Sequence, residues 1–104
     1  MYVVTRSDLS PGVRIAQSCH ALRQFTAEHP EIDKHWFETS NYLVVLEAKN
    51  EIELEYLLDI ADNKGIKTAV FREPDLYNEI TAVTFEPSNA SKQMLRKLPL
   101  AMKS

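Results

Sequence analysis

The chain has 104 residues, of which 44% are hydrophobic and 26% charged, and its formal net charge is −3 at pH 7. These proportions are ordinary for one globular domain and exclude a disordered or fibrous chain. No stretch approaches the roughly 20 apolar residues needed to cross a bilayer, and the first residues, MYVVTRSD, lack the basic start and apolar run of a secretory signal. A single cysteine, Cys19, cannot form an internal disulfide. We therefore expect a cytoplasmic protein that does not enter a membrane.

Charge is distributed unevenly along the chain. Residues 1–27 carry a net +2 and residues 88–104 a net +4, whereas residues 28–62 carry a net −8. If the two ends meet in space, they would form the basic face that binding to a phosphate backbone requires. The alternative is that these are solvated surface charges.

The predicted elements begin with a strand over residues 2–6, which are mostly β-branched and aromatic. Ser10 followed by Pro11 predicts the start of a helix that runs to about Glu28. The predicted buried face of this helix consists of residues at helical spacing: Ile15, Ala16, Cys19, Leu22 and Thr26.

The next segment, residues 29–40, has mixed charge and predicts a loop or short helix whose aromatics, Trp36 and Phe37, cover an edge of the core. Residues 42–47 are almost continuously apolar, which predicts a central strand covered on both faces.

A capping-box-like pair, Asn50 and Glu53, predicts the start of a helix that ends before Gly65, a residue suited to the left-handed conformation. Strands are predicted over residues 68–71 and 80–86, and Ser88 caps a short basic helix. The inward residues of the two helices are predicted to be Leu54, Leu57, Leu58, Ala61, Met94, Leu95 and Leu98. The fold class is α/β, a single domain over residues 1–104 with a four-stranded mixed β-sheet flanked by helices.

Few residues indicate chemistry by spacing alone. There is no glycine-rich phosphate loop and no nucleophile elbow. His20, His29 and His35 share no zinc-ligand spacing, so we expect no metal and no cofactor. Cys19 lies next to His20, but adjacent helical residues point about 100° apart, and a buried structural cysteine is favoured over a thiol nucleophile.

The segment from Tyr2 to Leu22 resembles the opening of type-II peptidyl-tRNA hydrolases, with an Arg-x-Asp-Leu strand end, a glycine-containing turn and a helix carrying Ala-Gln-x-x-His-Ala. The matching residues are Arg6, Asp8, Leu9, Gly12, Ala16, Gln17, His20 and Ala21. Residues 39–75 and 80–87 follow the family's later strands and helix in order. The resemblance implies metal-independent hydrolysis of the ester that joins a peptide to the 3′ ribose of tRNA. Because members are often dimeric, it also suggests a homodimer, with Trp36, Phe37 and Tyr42 as candidate interface residues.

The family's functional positions carry over unevenly. His20 matches the helix histidine and Thr81 a threonine of the last strand, whereas Val13 stands where the family has a lysine. The family's acidic position falls at Glu73 or Asp75, in a Glu-Pro-Asp loop that replaces the usual Asp-Ala-Gly. The catalytic candidates are His20, Glu73 and Thr81, and the substrate-binding candidates are Arg6, Arg14, Gln17 and Asp75. In this hypothesis Glu73 (or Asp75) activates water, Arg14 and His20 position the ester and the tRNA end, and Thr81 donates a hydrogen bond.

Each candidate has an ordinary structural alternative. His20 would be hydrogen-bonded within the core, Arg14 solvated, Glu73 paired with Arg72 or Arg6, and Thr81 a strand residue with no further role. Two other functions compete with hydrolysis. One is a catalytically impaired tRNA- or protein-binding module of the same fold, favoured by Val13. The other is a protein-interaction or small-molecule domain, favoured by the net negative charge.

Overall fold

The computed structural model describes residues 1–103 and orders them in four strands, four helices and one 3-10 turn. In chain order these are β1 (Tyr2–Arg6), α1 (Pro11–Glu28), α2 (Pro30–Thr39), β2 (Val44–Ala48), α3 (Glu51–Asn63), β3 (Thr68–Glu73), the turn Pro74–Leu76, β4 (Glu79–Phe85) and α4 (Asn89–Leu95). The predicted α/β domain with a four-stranded mixed sheet is confirmed. No helix among residues 1–103 is both long and apolar enough to cross a membrane.

The four strands form one sheet in the order β2-β1-β4-β3. β2 is parallel to β1, and β4 is antiparallel to both β1 and β3. β1, β2 and β3 therefore run in the same direction, and their last residues, Arg6, Ala48 and Glu73, lie at one edge. We call this the carboxyl edge of the sheet. The first residue of β4, Glu79, lies there too, opposite Glu73.

Helices cover both faces of the sheet. α1 packs on one face, where Val3, Ala21 and Ala82 form a core cluster, and Trp36 of α2 adds to a neighbouring cluster on that side. α3 and α4 cover the opposite face through Leu54 and Leu95. The inward residues predicted for α3 and α4 all belong to, or pack against, this second core.

The prediction that residues 42–47 form a central strand is wrong, because β2 lies at the edge of the sheet and has β1 as its only strand neighbour. Its outer side is covered by the segment after α4. Glu47 N donates to Pro99 O at 3.0 Å, and Ala101 N donates to Val45 O at 2.9 Å. The apolar residues of β2 are thus explained by this segment, which covers the outer side, and by the helices that pack on the sheet. The segment also prevents the strand from pairing with another chain.

The buried face predicted for α1 is wrong for Ile15, Ala16 and Cys19, whereas the predicted Leu22 is partly buried and packs against the core. Ile15 is 57% exposed and Cys19 is exposed, so the expected buried cysteine is not observed. The residues that α1 buries are Gln17, Ala21 and Phe25, each separated by four positions. The helix is rotated because Ala21 permits close approach to the sheet, and because the polar Gln17 finds buried hydrogen-bond partners there.

Residues 29–40 form a helix, one of the two alternatives that the sequence left open. Trp36 is buried, and its Nε1 donates to Tyr42 O at 3.0 Å, whereas Phe37 is 67% exposed. Only one of the two aromatics therefore covers the core. Gly65 adopts the predicted left-handed conformation, with φ +70°.

Candidate active site

Three side chains from α1, β3 and β4 form a hydrogen-bonded row at the carboxyl edge of the sheet. Thr81 Oγ1 donates to Gln17 Oε1 at 2.8 Å, and Gln17 Nε2 donates to Glu73 Oε1 at 2.9 Å. The amide orientation follows from chemistry, because an ionised carboxylate only accepts and so requires the NH2 group of Gln17. Gln17 and Thr81 are buried, while Glu73 is partly exposed. The second oxygen of Glu73 has no side-chain or backbone donor among residues 1–103 and is free to hold a water molecule.

A β-bulge directs Thr81 towards Gln17. Phe71 pairs with Ala82, but the next residue of β3, Arg72, pairs with Ile80, so Thr81 is the extra residue in β4. Thr81 and Ala82 both face α1 in consequence, whereas Ile80 and Val83 pack in the core on the α3 side. Without the extra residue, strict alternation would point one of the two away from α1.

His20 lies on the surface beside this row. Its ring stacks on that of Phe71, with centroids 4.5 Å apart and an interplanar angle of 14°. His20 follows Gln17 by about one helical turn, and Phe71 precedes Glu73 by two residues on the same face of β3, so the Cα atoms of Phe71 and Glu73 are roughly 7 Å apart. His20 is exposed and has no hydrogen-bond partner within residues 1–103, so the alternative of a core-bonded histidine is not observed.

Arg14 points from α1 towards β2 rather than towards Glu73. Its Nε donates to Leu9 O at 2.6 Å, and its Nη1 pairs with Glu47 Oε2 at 2.6 Å. The side chain is 17% exposed, so the alternative of a solvated helix arginine is not observed. These contacts tie the loop before α1 to the edge strand and leave Nη2 as the donor available to a ligand.

Arg6 is buried and almost fully engaged with the chain. Nε and Nη2 each donate to the carboxylate of Asp8 at 2.9 Å, and Nη1 donates to Glu79 Oε1 at 2.7 Å and to Ile80 O at 3.0 Å. The hydrogen bond from Arg6 lowers the pKa of Asp8 below its usual value, and the same bond raises the pKa of Arg6. This geometry favours a structural brace of the carboxyl edge over contact with substrate.

Comparison with known proteins matches the sequence to one family. The family model described as peptidyl-tRNA hydrolase PTH2 matches residues 1–101. The chain belongs to this family. It is also 38% identical over 80 residues to a peptidyl-tRNA hydrolase of Thermococcus onnurineus (strain NA1), across 71% of this chain and 68% of the relative. The resemblance seen in the sequence is confirmed. Membership makes this chain a hydrolase that acts on peptidyl-tRNA and does not favour the alternatives without catalysis.

This member of the PTH2 family departs from the expected pattern in the loop after β3. Glu73, the last residue of that strand, is the carboxylate that contacts Gln17. Asp75 is exposed in the turn Pro74–Leu76 and makes no side-chain hydrogen bond within residues 1–103. The loop ends with Tyr77 and Asn78, which both adopt positive φ. Sequence reasoning overlooked Tyr77, although it is the only aromatic residue between the two strands.

The site is an open surface rather than a cavity. Two cavities, of about 500 and 460 Å³, lie near Tyr2 and Tyr42, at the sheet end opposite Glu73. Chemistry favours the surface, because a PTH2 substrate brings its ester on a large nucleic acid that an enclosed pocket cannot admit. Among residues 1–103, no group of three or more His, Cys, Asp or Glu is placed to hold a metal ion.

The two basic ends of the chain meet at Glu47 and beside Tyr2, which packs against the core cluster that contains Leu95. Arg14 of α1 and the backbone N of Met102 both bond Glu47 Oε2, at 2.6 and 2.9 Å. The basic helix α4, however, packs on the α3 side of the sheet, opposite α1. The positive charges of α1 and α4 therefore lie on two different faces of the domain.

Proposed function

We propose that this chain cleaves the ester between a peptide and the 3′ ribose of tRNA with a water molecule activated by Glu73. The observation that carries the proposal is the row Thr81–Gln17–Glu73, which holds one carboxylate oxygen at 2.9 Å and leaves the other free beside an exposed His20. A carboxylate fixed in this way is oriented before substrate arrives, which is what a general base requires.

The reaction follows from these positions. Glu73 Oε2 accepts a proton as the water oxygen attacks the ester carbonyl. The bond from the carbonyl carbon to the 3′ oxygen then breaks, the peptide leaves as a carboxylic acid, and the 3′ oxygen takes the proton held by Glu73 to become the ribose hydroxyl, which restores the carboxylate. His20, with both ring nitrogens unoccupied by the chain, supplies the hydrogen bond to the carbonyl oxygen or to the leaving oxygen.

Thr81 and Gln17 act in this proposal as positioning residues. Thr81 is fully buried, so it reaches the reaction only through Gln17, which in turn fixes Glu73. Arg14 binds a tRNA phosphate through Nη2, close to the positive end of α1. Arg6 braces the carboxyl edge, and contact of Arg6 or Asp75 with substrate stays a prediction that mutation has to test.

Glu73→Gln is the decisive variant, because the amide keeps the shape of the side chain but is not basic. We expect release of a labelled N-acetyl-aminoacyl group from tRNA to fall about 10²- to 10⁴-fold, the usual contribution of a positioned base. Glu55→Gln is the matched control, because Glu55 is an exposed carboxylate of α3. Hydrolysis by Glu73→Gln at the wild-type rate would remove Glu73 from the mechanism.

The same assay tests metal independence and the role of Arg14. Turnover should persist in EDTA and fall with Arg14→Ala, while Arg14→Lys keeps part of the phosphate contact. Because Arg14 also bonds Leu9 and Glu47, urea unfolding of each variant separates a loss of tRNA binding from a loss of stability. Loss of turnover in EDTA that added Mg²⁺ or Zn²⁺ restores would refute metal independence.

We further propose a homodimer in the cytoplasm. Phe37 and Tyr42 are 67% and 68% exposed, and Tyr42 lines the cavities at Tyr2, whereas Trp36 is buried and unavailable as a surface contact. Sedimentation equilibrium of the wild type and of Tyr42→Asp tests the dimer, which the aspartate should dissociate. A monomeric wild type at micromolar concentration contradicts the proposal. Cell fractionation tests the location.

A further inference from the structure

The loop between β3 and β4 presents an aromatic ring in an uncommon backbone conformation. Tyr77 is 95% exposed, the highest value among the large hydrophobic residues, and its φ is +54°. Asn78 follows with φ +59°. Positive φ is rare for residues other than glycine, and especially for bulky ones. Such conformations persist only where surrounding contacts enforce them, and they concentrate at functional sites.

The loop is fixed to the strand that carries Glu73. Asn78 N donates to Glu73 O at 3.0 Å, and the Arg72 guanidinium donates to Asn78 O at 3.2 Å. Tyr77 is thereby held next to the backbone of Glu73, while its ring contacts almost nothing in the chain. A single exposed aromatic is ordinary by itself. Its importance here comes from the enforced backbone and from the neighbouring carboxylate.

The charge around this loop limits what the ring can bind. Glu73 and Asp75 place carboxylates beside it, Glu79 is paired with Arg6, and Arg72 is the one arginine or lysine within residues 68–85. Phosphate contacts are therefore unfavourable at this point, and a nucleotide must be held by a group that does not depend on charge. Aromatic stacking satisfies this condition, because every unpaired base has a π face.

We propose that Tyr77 stacks on a base at the single-stranded 3′ end of tRNA and so places the ester beside Glu73. This inference rests on the proposed function and adds a substrate-binding residue to it. The base and the ester share one terminal nucleotide, or adjacent ones, and Tyr77 and Glu73 are joined through one hydrogen-bonded turn. A base held by the ring would therefore lie on the same loop as the carboxylate.

The test measures how tightly the full chain binds a short RNA that ends in the CCA sequence of tRNA. Binding is monitored by NMR titration. We expect Tyr77→Ala to weaken binding about 5- to 150-fold, the range given by loss of one base stack. Tyr77→Phe keeps the ring and should bind within about twofold of the wild type. Tyr56→Ala is the matched control, because Tyr56 is 64% exposed on α3.

An RNA in which one nucleotide at a time lacks its base identifies the stacked position. Removal of the base at that position should weaken binding to the wild type by the same factor as the Tyr77→Ala substitution does. The same RNA should bind Tyr77→Ala no more weakly than the intact RNA does. Equal weakening by Tyr77→Phe and Tyr77→Ala would overturn stacking, since it would assign the contact to the hydroxyl group. Unchanged binding by Tyr77→Ala would overturn it as well.

The two proposals fail separately. If the wild type hydrolyses peptidyl-tRNA and Tyr77→Ala matches it in RNA binding and in KM, stacking is refuted and the proposed function stands. If the wild type does not hydrolyse peptidyl-tRNA but binds the RNA in a Tyr77-dependent manner, the hydrolytic mechanism fails and the stacking contact is retained. If both hold, Tyr77→Ala raises KM more than it lowers kcat.

Discussion

Removal of the buried bond between Thr81 and Gln17 gives the most direct test of the candidate site. Gln17→Leu and Thr81→Val are close in shape to the original residues, and each removes one partner of a 2.8 Å hydrogen bond. Thr81 is fully buried and Gln17 is 5% exposed, so water cannot replace the missing partner. A buried polar group left without a partner costs about 1–3 kcal/mol.

The double variant decides whether that cost comes from the bond. When both partners become apolar, no unsatisfied group is left at this contact. The double variant should therefore lose about as much free energy of unfolding as one single variant, rather than the sum of the two single losses. The expected coupling free energy is about 1–2 kcal/mol. In a domain of this size each kcal/mol lowers the melting temperature by about 4–8 °C.

Urea unfolding of the four proteins measures the coupling, and hydrolysis assays measure its consequence. Gln17→Leu should lose activity because Glu73 loses the amide that orients it, whereas Thr81→Val should lose less because Gln17 still contacts Glu73. Additive stability effects within about 0.3 kcal/mol would refute the buried bond. Full activity of Gln17→Leu would refute the positioning of Glu73 by Gln17.

Three further predictions concern the fold. Asp8→Asn should lower stability at pH 7 by about 1 kcal/mol, a value kept small because Asp8 is partly exposed. The pKa of Asp8 is lowered by Arg6, so this stability is present above pH of about 4 and is lost as pH falls through the lowered pKa. The free energy of unfolding should therefore fall less steeply with decreasing pH for Asp8→Asn than for the wild type. An unchanged fall at acid pH contradicts the pairing. Gly65→Ala should destabilise the protein by about 1 kcal/mol because φ is +70°. Gly12 lies in α1 with open space around it, so Gly12→Ala should stabilise the protein slightly. Equal shifts of the urea midpoint would refute the dependence on the left-handed φ of Gly65. Leu54→Ala should cost about 2–5 kcal/mol in the same measurement, since Leu54 is fully buried, and a smaller loss would mean that the cavity collapses.

The sequence alone determined the order of the elements and the family of the chain. Local rules suffice for these features, because the capping of α3 by Asn50 and the left-handed Gly65 depend on neighbouring residues only. The family resemblance rested on the segment from Tyr2 to Leu22 and on the later segments at residues 39–75 and 80–87, and it selected Gln17, His20 and Thr81 before any contact was known.

Only the tertiary structure decided which side chains face each other. Hydropathy favoured Ile15 and Cys19 as the buried face of α1, but burial of Gln17 depends on Thr81, which is 64 residues away in the chain. The bulge that turns Thr81 towards α1 has no local sequence signal, because it arises from the register of β3 against β4. The contact of Gln17 with Glu73 rather than with Asp75 likewise depends on where β3 ends, since the strand brings Glu73 to Gln17 and the turn carries Asp75 into solvent.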